Sequence, residues 1–221
     1  MNTTHEKKQP SIVVIGGLIE GMLALLALGI SWFGFFDRQQ PLSGMDREAW
    51  LNGLIWGLAA LVPMLIYLAW FHFYPTRLLQ PMRDFVDAEM RPLFKGCSLL
   101  DLAIISILAG FCEELFFRWC LQGGLTTVLP DGIVCTCIAL LSVSLFFGLC
   151  HWVNASYGIS TFLIGVYLGW IMIASKSWLG PAIAHTLFDF IALVYIARWQ
   201  AEPSEPGGGV ERQEPASSIK R

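Results

Sequence analysis

Six side chains with acid–base or ligand chemistry sit inside strongly apolar stretches: Glu113, Glu114, Arg118, His151, His185 and Asp189. An ionisable side chain at bilayer depth costs at least about 2.5–3.5 kcal/mol on insertion scales, so each needs a partner or a use. Glu114 and Arg118 are four residues apart, so on a helix they share a face and pair. Glu113 is turned away by about 100° and is left without a sequence-local partner. A carboxylate without a counter-ion in a low-dielectric site is a candidate proton acceptor. The plainer reading puts both glutamates at the membrane surface, at the end of a shorter helix. His151 closes the run Phe147-Gly148-Leu149-Cys150-His151; taken alone, a histidine near a helix end is an interfacial polar residue. His185 and Asp189 are again four apart. That spacing fits a pair of metal ligands, a ligand with its orienting carboxylate, an oxyanion-stabilising pair, or a buried hydrogen-bonded pair joining helices. His5 and His72 lack such companions and read as surface and interfacial residues.

The surrounding chain explains why these positions count as membrane depth. Of its 221 residues 55% are hydrophobic and 14% charged, with a mean hydropathy of +0.59. A soluble domain carries about 25% charged residues, so the charge here is roughly halved and lies between long apolar runs. Each run is near the roughly 20 residues that a spanning helix needs. The expected fold is all-α, a polytopic membrane bundle of about six transmembrane helices. The segments run from about Ser11 to Phe36, Leu51 to Tyr74, Leu99 to Val128, Ile133 to Trp152, Gly158 to Ala174 and Leu179 to Ala197. Pro130, Asp131 and Gly132 mark a turn. Residues 1–98 form a two-span region with a charged amphipathic connector, Arg77 to Lys95. Residues 99–198 carry the candidate site, and 199–221, rich in Pro, Gly and charge, read as a disordered tail. Lys7 and Lys8 precede a first apolar stretch too long for a signal peptide and followed by no small-x-small site, so it reads as an uncleaved span.

Six spans put both termini on one side. Ten Lys and Arg residues fall on that side and three (Arg38, Arg47, Lys176) on the other, which places both termini in the cytoplasm. The net charge of −3 supplies no basic stripe and argues against nucleic acid as a partner. The six cysteines show no zinc-ribbon or CxxC spacing and read as packing residues. Glycines repeat at four-residue spacing (Gly17 and Gly21, Gly53 and Gly57, Gly165 and Gly169), a pattern that lets helices approach closely in lipid.

These elements must bring the six side chains together. Glu113 lies 18 residues before Asp131 and His151 lies 20 after it. In an antiparallel hairpin rising about 1.5 Å per residue, the two differ in depth by only about 3 Å. His185 sits about six residues into the last segment, and straight, full-length helices would leave it at a different depth from His151. Tilt, or an irregular stretch through Asn154-Ala155-Ser156-Tyr157, would reconcile them.

The ordered set Glu-Glu-x-x-x-Arg, Phe-x-x-x-His and His-x-x-x-Asp/Asn on successive apolar segments resembles the CPBP family of intramembrane metalloproteases. That family is also called the CAAX-protease or bacteriocin-immunity (Abi) family and is similar to the Ras-converting endopeptidase. The resemblance covers about Leu99 to Ala197. It implies an integral protein of the bacterial cytoplasmic membrane that hydrolyses peptide or protein substrates at the bilayer, lipidated or not. Glu113 would be the catalytic carboxylate, activating water with help from His151. His185 and Asp189 would bind metal or stabilise the oxyanion, and Glu114 with Arg118 would support them. Two histidines and carboxylates (His151, His185, Glu113, Asp189) would suit a zinc ion, which would lower the pKa of bound water. Asp189 stands where many relatives carry Asn; it would ligate metal better and stabilise an oxyanion worse. The competing readings are a non-catalytic immunity or scaffold protein of the same fold and an ion or proton transporter. The absence of a repeat between the two halves argues against the last.

Overall fold

The computed structural model describes residues 12–33, 47–74 and 76–198. His5, the N-terminal lysines and the tail expected at 199–221 lie outside them. The described residues form helices and turns without a strand. In chain order they are α1 (Ile12–Trp32), α2 (Arg47–Phe73), α3 (Gln80–Phe85), α4 (Arg91–Phe94), α5 (Leu99–Glu114), α6 (Gly123–Val128), α7 (Ile133–Cys150), α8 (Ala155–Ser175) and α9 (Leu179–Arg198). Wider, π-helical turns join α3 to α4 (Val86–Met90) and α5 to α6 (Leu115–Gln122), so each set is one continuous rod. Five helices, α1, α2, α7, α8 and α9, are long and apolar enough to cross a membrane. The sixth expected span is the composite rod Leu99–Val128, which the π turns interrupt and the charged residues occupy. Large apolar side chains on the outer faces, such as Leu25, Ile55, Ile133 and Leu163, are exposed. Lipid accounts for them where water would not. The chain is an integral membrane protein, a polytopic helical bundle.

Local chemistry sets the helix ends. Ser98 Oγ accepts from the Asp101 amide at 3.1 Å while Asp101 Oδ2 accepts from the Ser98 amide at 2.8 Å. This reciprocal cap satisfies two donors at the helix start and begins α5 at Leu99. Asn154 Oδ1 accepts from the Tyr157 amide at 3.0 Å and starts α8. Lys176, at φ 54° and ψ 29°, turns α8 back towards α9. The connector α3–α4 lies across the end of the bundle, with its own Val86 and Phe94 and the preceding Leu79 buried and Arg91 paired with Asp87 at 2.7 Å.

Packing fixes the depth of the last helix. α2 and α9 run parallel, Gly53 against Leu179 and Gly57 against Ile183, so closely that a Cβ on either glycine would meet its neighbour at 2.7 Å. Leu179, the first residue of α9, therefore lies six residues, or about 9 Å, inside the start of α2. Asn52 Nδ2 donates to the Ser175 carbonyl at 3.0 Å and holds the α8–α9 turn at this inset level. α8 is antiparallel to α2, with Tyr67 Oη donating to Ser160 Oγ at 2.8 Å and Tyr167 Oη to the Ala60 carbonyl at 3.1 Å. Gly110 of α5 touches Thr186 of α9. The glycine pair of α1 behaves differently: a Cβ on Gly17 would meet Leu108 at an ordinary 3.6 Å and one on Gly21 would meet nothing, so the close packing expected there is absent among the described residues. All six cysteines are free thiols.

Candidate active site

The rod Leu99–Val128 supplies the centre of the site at the junction where its α-helical turns widen. Glu114 is fully buried there and divides its two oxygens between two partners. Oε2 lies 3.0 Å from Arg118 Nε and Oε1 lies 3.0 Å from His185 Nδ1. Arg118 is also fully buried, and its guanidinium carbon stands 5.1 Å over the Phe147 ring. Removing one member of such a pair strands a buried charge, at a cost of about 3–5 kcal/mol. The pairing inferred from the four-residue spacing is present, with a third member, His185, that spacing could not supply.

Among the described residues Glu113 pairs with no arginine and makes no hydrogen bond of ordinary length. Its Oε1 is 3.7 Å from His151 Nε2 and its Oε2 is 4.0 Å from His185 Nε2, distances that place the carboxylate between two imidazoles. Asp189 Oδ2 is 3.4 Å from the same His185 nitrogen. Glu113, Glu114, Arg118, His151, His185 and Asp189 therefore converge. Two features remove the depth mismatch expected of straight helices. α9 begins inset, and His151, just past the end of α7, folds its ring back along the helix. His151 Nδ1 donates to the Phe147 carbonyl at 2.9 Å, which turns Nε2 towards Glu113. The Phe147 ring packs on the His151 ring at 4.6 Å and meets the His185 ring edge-on at 6.2 Å.

A cavity of about 180 Å³ opens over these groups. Glu113, His151, His185 and Asp189 line one part of it; Tyr67 and Tyr157, from α2 and α8, line others. His72, read as interfacial, is part-buried with Nδ1 2.9 Å from Tyr195 Oη, apart from the four. Two residues near the site carried no role in the sequence. Glu20 of α1 turns a buried oxygen inward, within electrostatic reach of Glu113, His151, His185 and Asp189. A carboxylate at the centre of an apolar segment is itself the signal that could have marked it. Tyr157 carries no such signal, because aromatic residues are common in every span.

The donor types in the site suit zinc. Among the described residues no group of three or more His, Cys, Asp or Glu side chains is gathered tightly enough to hold a metal ion; His151 faces Glu113 at 3.7 Å and His185 faces Asp189 at 3.4 Å. What the arrangement can do unaided is hold a water. Each histidine donates through Nδ1, to the Phe147 carbonyl and to Glu114, so each neutral ring presents a bare Nε2 that accepts a hydrogen bond. Glu113 and His151 offer one acceptor each to a water placed between them.

The fold and the site define a membrane-embedded bundle built around a buried carboxylate–histidine centre. Residues 95–191 match the family model for type II CAAX prenyl endopeptidase, Rce1-like. This stretch holds all six site residues, and the match supports assignment to the CPBP/CAAX protease family. Comparison with curated proteins and with solved structures gives no match.

Proposed function

We propose that the protein is an intramembrane endopeptidase in which Glu113 activates a water for attack on a peptide bond. The observation that carries this reading is the placement of the Glu113 carboxylate, without an arginine partner, between Nε2 of His151 and Nε2 of His185 and facing a cavity. The water donates to Glu113 and to His151 Nε2. As its oxygen bonds to the scissile carbonyl carbon, Glu113 takes one proton and the carbonyl π pair moves onto oxygen. Collapse of the tetrahedral intermediate re-forms the carbonyl, breaks the C–N bond and passes the proton from Glu113 to the departing nitrogen. Glu114 holds His185 through Nδ1 and is itself held by Arg118, so His185 and Asp189 form a fixed polar wall on the α9 side. The substrate is a peptide or protein segment reaching the site at the bilayer, and the apolar lining (Leu68, Phe71 and Ile164 among it) suits a lipidated or hydrophobic segment. Both termini lie in the cytoplasm of a bacterial cell on this reading. A zinc-assisted version, with Glu113, His151, His185 and Asp189 as ligands, has the donor chemistry in its favour.

Glu113→Gln and His151→Ala in the full-length protein test the reading. Each variant should insert in the membrane at the wild-type level and lose cleavage of a peptide drawn from a quenched fluorogenic library. Cleavage at the wild-type rate by either variant would sink the mechanism. A wild type inactive against the whole library leaves the non-catalytic immunity or scaffold role as the better reading.

A further inference from the structure

The intermediate carries a negative charge that none of the groups described so far is arranged to meet. Glu113, Glu114 and Asp189 are hydrogen-bond acceptors when ionised, and an acceptor beside an oxyanion raises the barrier. The histidines do not fill the gap. With Nδ1–H of His151 committed to Phe147 and Nδ1–H of His185 committed to Glu114, a neutral ring has no proton on Nε2. In the doubly protonated form, that of His185 faces Asp189 and Glu113 and that of His151 faces Glu113. The remaining donors lining the cavity are hydroxyls, and most are spoken for. Tyr67 Oη donates to Ser160 Oγ at 2.8 Å, and Thr161 Oγ1 donates to the Tyr157 carbonyl at 2.8 Å.

The Tyr157 hydroxyl is different. Tyr157 lines the cavity within electrostatic reach of both Asp189 and Glu113, and among the described residues its hydroxyl has no hydrogen-bond partner. Its position is built in. The Asn154 cap fixes its amide, Asn154 Nδ2 in turn donates to the Pro81 carbonyl of the connector at 3.1 Å, and its ring meets Phe85 edge-on at 5.6 Å. A residue capped at its amide, packed on Phe85 and carrying an uncommitted O–H at its tip is a donor prepared before the substrate arrives.

We infer that Tyr157 is a further catalytic residue of this site, donating its hydroxyl hydrogen bond to the oxyanion of the tetrahedral intermediate. The inference rests on the protease reading. Tyr157 keeps its proton throughout; the proton that moves is the one carried by Glu113. The connector acquires a role as well, since it braces the residue that stabilises the intermediate.

Tyr157→Phe removes the hydroxyl and leaves the ring against Phe85. In the full-length protein, with the library peptide that the wild type cleaves best, kcat should fall by about 100- to 1,000-fold, the loss typical of one oxyanion donor. KM should stay near its wild-type value. Affinity for the peptide aldehyde matching the cleaved sequence, whose hydrate mimics the intermediate, should fall with kcat, and affinity for the cleaved product should not. Ser160→Ala serves as the comparison, because Ser160 accepts from Tyr67 and retains an uncommitted proton of its own. An unchanged kcat in Tyr157→Phe, equal weakening of aldehyde and product, or the kcat loss appearing in Ser160→Ala alone overturns the inference while leaving the protease reading intact. A wild type that cleaves nothing removes both.

Discussion

At the scale of single residues, the site works by division of labour between adjacent carboxylates. Glu114 spends its oxygens on Arg118 and His185, both at 3.0 Å, and becomes part of the framework. Glu113, one residue earlier, points between Nε2 of His151 and Nε2 of His185 and keeps its lone pairs for an incoming water. With Glu113 as the group that activates water, proteolysis should not depend on a bound metal. Exhaustive chelation followed by metal analysis should give a metal-free preparation that cleaves the library peptide at an undiminished rate. Loss of activity on chelation, restored by zinc alone, would reinstate the four-ligand reading of Glu113, His151, His185 and Asp189. The contrast between the glutamates was legible in sequence because an i,i+4 arginine partners one and geometry denies it to the other. The attachment of His185 to Glu114 was not, since the two are 71 residues apart and nothing local couples them. Tyr157 was equally hidden: its distinction is an unused hydroxyl, a property of what its neighbours do.

At the scale of elements, the decisive feature is how deep α9 starts. The segment limits read from hydropathy agree with the helices to within about four residues at every described end, because the bilayer and the capping residues both act locally. Counting from those limits still puts His185 too shallow. What corrects it is the contact of Gly53 and Gly57 with Leu179 and Ile183, which only the packed bundle displays. The widened turns after Glu114 belong to the same category, since no residue between Leu115 and Gln122 breaks a helix by its own preference. The contact makes a prediction. Gly57→Leu drives a Cβ to within 2.7 Å of Ile183, and overpacking of this kind costs about 1–3 kcal/mol. The variant should melt at a lower temperature in detergent and, because α9 carries His185 and Asp189, should lose kcat as well. Gly21→Ala, at a position with open space around it, should keep wild-type activity and stability or gain slightly in the latter. Equal behaviour of the two variants would mean that α2 does not set the position of α9.

At the scale of the whole molecule, the bundle is asymmetric between its ends. The connector α3–α4 lies at the end where α5 begins, and the α7–α8 junction is tied to it through Ser156 Oγ on the Leu78 carbonyl and Asn154 Nδ2 on that of Pro81. The turn at Pro130–Gly132 lies at the other end of the rod Leu99–Val128, and the arginines and lysines are concentrated towards the connector end. Because positive charge is retained on the cytoplasmic side, the connector and the junction that carries His151 and Tyr157 should face the cytoplasm. A protein with its six native cysteines replaced, carrying Lys95→Cys or Asp131→Cys at exposed positions, reads this directly. A membrane-impermeant maleimide added to intact cells should modify the cysteine at 131 and spare the one at 95; in inverted vesicles the pattern should reverse. The opposite pattern would turn the molecule over and place the connector, with the residues it braces, on the external face. Labelling of both positions from one side would break the requirement that Leu99–Val128 cross the bilayer, and with it the depth at which Glu113 works.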